Sequence, residues 1–196
     1  MKTKFTAILA LIILALGSCK KDKGVVPEPV KTVKTGTVTL KNHNTEKDPE
    51  KAVVWFSISD QSVHAMEEIS SKAALQKNIA FGYNLNDINW GLYSPTAYPH
   101  QYGQESWAHK STTIFKDLPM TFDVFAKQAQ SDPESINEAF INKMFADGSG
   151  AEASVKDFPE GAAYVFETAD GVKGIFRVTS LAQNLTTVEL KVWVLQ

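Results

Sequence analysis

From Ala163 to Val194 apolar and polar residues alternate with a period of two, and this stretch limits the possible fold more than any other. Ala163-Tyr164-Val165-Phe166-Glu167-Thr168 is rich in the aromatic and β-branched residues that suit a pleated surface. Asp170-Gly171 follows, a pair that favours a type I′ hairpin turn because both central residues of that turn need positive φ. Gly174-Ile175-Phe176-Arg177-Val178-Thr179 runs back, and after Gln183-Asn184 a third strand covers Thr187 to Val194. In that strand Val188, Leu190, Val192 and Val194 share one face, against Glu189, Lys191 and Trp193 on the other. The pattern predicts an antiparallel meander with one buried face.

The rest of the chain reads in the same way. Thr35, Thr37 and Thr39 alternate with Val38 and Leu40, so a first strand starts near Val33. Asn42-His43-Asn44 and Lys47-Asp48-Pro49-Glu50 are turn chemistry. Ala52 to Ile58 reads as a second strand, expected to pair antiparallel with the first. Ser70 to Gln76 suggests one helical turn, and Ile79 to Tyr83, Trp90 to Tyr93 and Thr112 to Phe115 read as strands. Phe122 to Gln130 suggests a helix. A second helix is expected from a capping box at Ser131 and Glu134, with Ile136, Phe140, Met144 and Phe145 lining its buried side. The expected fold is mainly β, with antiparallel sheets in a sandwich-like arrangement and one or two short helices inserted.

The N-terminal segment has a different character. Lys2 and Lys4 precede the apolar run Phe5 to Leu16, and small residues lead to Cys19, the one cysteine of the chain. A charged start, a short apolar core and small residues before a cut describe a secretory signal peptide. The run is shorter than the ~20 residues a spanning helix needs. Leu16-Gly17-Ser18-Cys19 resembles the lipobox of bacterial lipoproteins. The resemblance implies a signal peptide over residues 1–18, a diacylglycerol on the Cys19 sulfur and a third acyl chain on its new amine. Residues 19–34, with Pro27-Glu28-Pro29, are expected to form an acylated tether, and residues 35–196 a single domain.

With its one cysteine acylated, the chain has none left for an internal disulfide, so stability must come from the core. Loss of Lys2 and Lys4 lowers the basic residues from 20 to 18 against 22 acidic ones, a formal charge of −4. No basic stripe stands out, which argues against a nucleic-acid partner. The expected partner is the membrane, through Cys19, with a small ligand or an outer-membrane protein as a further partner. The expected location is the envelope, on the outer membrane. Lys20-Lys21-Asp22-Lys23 is mostly basic, unlike the acidic export cluster of some surface lipoproteins, which favours the periplasmic side.

A wider resemblance rests on Trp55-Phe56-Ser57-Ile58, Asn78 to Tyr83, Leu92-Tyr93-Ser94-Pro95, and Phe166 to Gly174 leading into Val178. In these the chain resembles a broad set of bacterial outer-membrane lipoproteins and, more distantly, the HmuY haem-binding lipoproteins, which share an aromatic-x-Thr-x-Asp-Gly hairpin. That resemblance implies an all-β fold and haem as a possible cofactor, held by a pair of His or Met side chains. His43, His64, Met66, His100, His109 and Met120 are available, and no pair aligns.

Ser94 to Ser106 is a long irregular segment, and Tyr98, His100, Tyr102, Trp107 and His109 form the candidate ligand-binding set, since aromatic rings on a β scaffold stack on flat ligands or sugars. The competing reading is that Tyr98, Tyr102 and Trp107 close the end of the core. His64-Ala65-Met66 would offer two soft ligands, against the reading of a turn histidine and a core methionine. His100 and His109 match no usual zinc spacing, and Asp87, Glu105 and Asp117 are scattered acids. Without a nucleophile elbow, a phosphate-cradling glycine loop or a zincin motif, a non-enzymatic envelope binding module is the leading expectation. A haem-binding lipoprotein and a carbohydrate-binding or carbohydrate-processing lipoprotein are the alternatives.

Overall fold

The computed structural model describes residues 31–85, 90–99 and 103–196. The chain divides into two units, Met1–Val30 and Lys31–Gln196, and the described residues belong to the second. The signal segment, Cys19 and most of the expected tether lie outside the described residues, as do Asp87, His100 and Tyr102.

Described elements follow in chain order as β1 (Val33–Lys41), β2 (Val53–Ser57), β3 (Ser62–Ala65), α1 (Met66–Ser70), α2 (Ala73–Gln76), β4 (Ile79–Leu85), β5 (Trp90–Tyr93) and β6 (Thr113–Asp117). After them come α3 (Phe122–Ser131), α4 (Glu138–Asp147), β7 (Ser149–Glu152), β8 (Ser154–Lys156), β9 (Ala163–Thr168), β10 (Lys173–Leu181) and β11 (Thr187–Leu195). They build two antiparallel sheets, ordered β1-β11-β10-β9-β6-β7 and β3-β2-β4-β5-β8. The main core lies between them, where Val38, Leu40, Phe56, Phe81, Phe166, Phe176 and the even-numbered residues Val188 to Val194 pack together. The fold is a mainly β sandwich, as the alternation predicts.

The expected pairing of β1 with β2 does not occur. β1 joins β11, from Val33↔Leu195 to Lys41↔Thr187, while β2 lies between β3 and β4. Burial explains the choice. Val54, Trp55 and Phe56 of β2 are all fully buried, so that strand needs cover on both faces and neighbours on both edges. β1 exposes Thr35, Thr37 and Thr39 on one face and suits a sheet edge.

The meander β9-β10-β11 forms as expected, but both of its faces are covered. Ala163, Val165, Ile175, Trp193 and Leu195 on the outer face pack against Phe125, Ile141 and Met144 of α3 and α4. Trp193 accordingly meets Phe125 edge-on at 5.2 Å between ring centroids. The β9–β10 turn is not type I′. Gly171 alone takes positive φ (78°) in this turn, its N–H donates to the Thr168 carbonyl at 2.8 Å, and Thr168 N–H donates to the Val172 carbonyl at 2.9 Å. This is a type I turn closed by a left-handed glycine, the usual three-residue hairpin loop.

The second long helix starts later than its sequence suggests. Ser131 ends α3, donating its hydroxyl to the Lys127 carbonyl at 2.8 Å, and Pro133–Ser135 form a 3-10 turn. The helix begins only after Asn137, whose side chain accepts from Phe140 N–H at 3.0 Å. Its buried residues are Ile141 and Met144, with Phe140 and Phe145 half-buried. Two further short helices, α1 and α2, occupy 66–76 where a single turn is expected. β7 and β8 are also additions, since SGAE and SVK carry no strand pattern.

The chain enters the domain beside its C-terminus. Thr32 N–H donates to the Gln196 carbonyl at 2.8 Å and Gln196 N–H returns to the Thr32 carbonyl at 2.9 Å. The sheet thus begins slightly ahead of the expected start at residue 35. Among the described residues no helix is long and apolar enough to cross a membrane.

Candidate functional site

β7 is an edge strand of the larger sheet and β8 of the smaller one, and only Ala153 separates them in sequence. The two sheets are therefore bridged at this margin, and a cleft of about 180 Å³ opens beside the crossing. Its polar lining comes from Lys116 and Asp117 of β6, Ser149 and Glu152 of β7, Lys156 of β8 and Tyr164 of β9. Lys116 is already placed: its ammonium donates to the Phe145 carbonyl at 3.0 Å and lies 4.5 Å from the centre of the Phe145 ring. Burial and the nearby Asp117 charge push the Tyr164 phenol above its ordinary pKa, so it keeps its proton and its donor capacity. The volume is below the ~300 Å³ that starts to enclose a drug-sized ligand. A single ring or a chain end with hydroxyl or charged groups matches this lining.

Tyr98 and Trp107, the described aromatic residues of the aromatic segment, lie on the outer face of the smaller sheet. Tyr98 is 1% exposed and Trp107 is 4% exposed, and both pack on Trp55 with ring centroids at 4.2 and 4.8 Å. Gly82, opposite Trp55 across β2 and β4, allows the rings to lie on the strand. Tyr98 donates its hydroxyl to the Tyr83 carbonyl at 2.8 Å, and the Trp107 indole N–H reaches Ser70 Oγ at 3.4 Å. Gln104 holds the segment down by donating to the Tyr98 and Pro99 carbonyls at 3.0 and 2.9 Å. Tyr98 and Trp107 are thus closing side chains of an interior layer with Val54, Met66, Ile69 and Tyr93. His109 is exposed, and its backbone N–H donates to Gln76 Oε1 at 3.2 Å. Of the candidate set, the structure brings together Tyr98 and Trp107 and leaves His109 apart.

His43 belongs to the same layer and is fully buried. Its Nδ1 lies 2.8 Å from the Pro49 carbonyl, which can only accept, so Nδ1 carries a proton. Nε2 lies 3.0 Å from the Tyr98 hydroxyl. Burial holds the pKa of this imidazole below its usual value, with the Pro49 carbonyl working the other way.

His64 sits in a cluster the sequence reading missed. Its Nδ1 is 2.9 Å from Glu68 Oε2, and its Nε2 is 3.0 Å from Asp60 Oδ2 and 2.9 Å from Ser62 Oγ. Ser62, His64 and Glu68 have the spacing of a nucleophile, a base and an orienting acid. Asp60 changes the chemistry. Asp60 Oδ2 and Ser62 Oγ share the one ring nitrogen Nε2, so the serine has no exclusive contact with it. The cluster is a hydrogen-bonded clamp tying the β2–β3 turn to β3 and α1. Hydrogen bonds from His64 and Lys72 hold Glu68 below the ordinary carboxylate range. For Asp60 burial pushes upward, but bonds from Ser57, Ser62 and His64 outweigh it and the pKa is lowered. The available signal was the fourfold spacing of Asp60, His64 and Glu68; pairing His64 with Met66 obscured it, and Met66 is buried in the interior layer with Tyr98 and Trp107.

Both ring nitrogens of His43 and of His64 are engaged, and no group of three potential metal ligands occurs among the described residues. No protein-family model, curated protein or solved structure matches the chain.

Proposed function

We propose that this chain is an envelope lipoprotein whose β domain is a non-enzymatic binding module for a small ligand or an outer-membrane partner. The observation that carries the reading is Leu16-Gly17-Ser18-Cys19, placed after a charged start and a short apolar run and ahead of a proline-bearing tether. One acyl chain holds a protein only reversibly, whereas stable anchoring takes at least two signals, which three chains on a single cysteine would supply. The domain supports the reading in two ways. The polypeptide enters it at one end, where Thr32 pairs with Gln196, so an upstream anchor is compatible with a complete sandwich. The cleft at the β7–β8 crossing supplies a polar lining of the kind a small hydroxylated or charged ligand needs.

Expression of the full chain in a bacterial host with lipoprotein processing tests the proposal. Mass spectrometry of the membrane fraction should find a chain starting at Cys19 with about three acyl chains. Cys19→Ala should abolish both that mass and membrane retention after a salt wash. An unmodified thiol, or the uncut precursor, in protein from its native membrane refutes the reading.

A further inference from the structure

The outer face of the larger sheet carries a row that crosses four strands: Thr37 of β1, Lys191 of β11, Arg177 of β10 and Ala163 of β9 are register partners. Arg177 and Lys191 are directly opposite one another. Like charges in that position destabilise a sheet, and an opposite-charge pair is the arrangement expected there. Neither side chain takes part in any ion pair among the described residues, where Lys41, Lys51, His64, Lys72, Lys143 and Lys173 all find acids. Both are half-buried, and the Arg177 Nε is a buried donor with no hydrogen-bond partner in the structure. A buried charged donor left unmatched is costly, more so than a neutral one.

The surroundings narrow what would match it. On one side runs an apolar row with Ile175 and Trp193, covered by α3 and α4, and the Lys191 ammonium lies 5.2 Å from the Trp193 ring. On the other side Glu189 lies two residues from Lys191 on the same face of the strand. Its Oε1 accepts from the Thr179 hydroxyl at 2.7 Å, and among the described residues it forms no ion pair with either cation. Thr37 places an exposed hydroxyl at the solvent end of the row, and Ala163 leaves the other end short. A guanidinium, an ammonium and a hydroxyl in one row form a donor set for oxygen acceptors, and the arginine plane matches two oxygens at once.

We propose that Arg177 and Lys191, with Thr37 at the rim, form a binding site for a small oxyanion of the carboxylate or phosphate type. This site is separate from the cleft at the β7–β8 crossing and does not depend on the lipid anchor. Two adjacent cations without an ion pair among the described residues make a positive patch that an anionic group offsets. The ligand group lies against the sheet, with oxygens toward the guanidinium fork and the ammonium.

The test uses the full chain in a neutral detergent, titrated separately with acetate, inorganic phosphate and chloride at matched ionic strength, with thermal unfolding and NMR amide shifts as readouts. Acetate or phosphate should raise the unfolding midpoint saturably, with shifts centred on Arg177, Lys191 and Thr37. The anion that acts tells carboxylate from phosphate recognition. Arg177→Gln and Lys191→Gln should each weaken that response about tenfold or more, as loss of a charge-assisted bond requires. Lys127→Gln, on an exposed helix face, should leave it unchanged. Equal effects of all three salts, or an undiminished response in the folded Arg177→Gln protein, would overturn the proposal.

Discussion

Gly82→Ala adds one methyl group where the fold has no room for it. A Cβ at this position would lie 2.6 and 2.8 Å from Cε3 and Cζ3 of Trp55 and 2.8 Å from Cε2 of Tyr98. Neither ring can swing away. Trp55 is fully buried and packed on Tyr98 and Trp107, and Tyr98 is tied through its hydroxyl to the Tyr83 carbonyl. Overpacking of this kind costs about 1–3 kcal/mol. Against it stands the backbone term: alanine in a strand is favoured over glycine by roughly 0.5–1 kcal/mol. The clash wins because three heavy-atom contacts fall below 3.0 Å at once, leaving a net loss of about 1–2 kcal/mol. For a domain of this size that lowers the unfolding midpoint by roughly 2–8 °C. Urea unfolding followed by tryptophan emission and by circular dichroism measures it, and the native emission should shift as Trp55 moves. Gly171→Ala is the control, since φ there is 78° and no atom lies within 4 Å of the new Cβ. It should lose stability through backbone strain alone and keep the parent emission. A Gly82→Ala protein as stable as the parent, with unchanged emission, would refute the close-packed aromatic layer.

Two other outcomes follow from the electrostatics and the helix ends. Asp60 and Glu68 have lowered pKa values in the folded state, so the stability they contribute is complete above about pH 4 and is lost as pH falls through those lowered values. His43 is also lowered, by burial, so the unfolded chain takes up its proton first and stability starts to drop below about pH 6.5. Urea midpoints from about pH 7.5 down to about pH 2.5 should show both declines, with His64→Gln flattening the more acidic one; a midpoint constant from pH 7.5 to about pH 5.5 would contradict the lowering of the His43 pKa by burial. Asn137→Ala removes the cap that accepts from Phe140 N–H and should cost about 1 kcal/mol, whereas Ser131→Ala should cost less. The reverse order in chemical unfolding would restore the helix start expected from the sequence.

The β11 pattern was legible because a strand buries one face every second residue, and Val188, Leu190, Val192 and Val194 are all fully buried as that period requires. The strands at Val53–Ser57, Ile79–Leu85 and Ala163–Thr168 were readable from β-branched and aromatic content for the same local reason. β7 and β8 were not, because their residues are mostly exposed and their strand state comes from backbone bonds to β6 and β5. The cleft between them was invisible for that reason as well. Tyr98 and Trp107 read equally well as ligand platforms or as core, and the composition of one loop cannot separate the two. Their burial against Trp55 depends on Gly82, a residue of another strand.

The sequence by itself determined the period of the strands, the positions of most turns and the chemistry of the segment before Cys19, because these depend on near neighbours along the chain. The tertiary structure decided which strands pair, that both meander faces are buried, and that His64 lies between Asp60 and Glu68. It also set Arg177 opposite Lys191. Pairing and burial on both faces are collective outcomes. β1 completes the edge beside β11, far along the chain, while β2 takes β3 and β4 as neighbours and has its two faces covered by the opposite sheet and by the Tyr98–Trp107 layer.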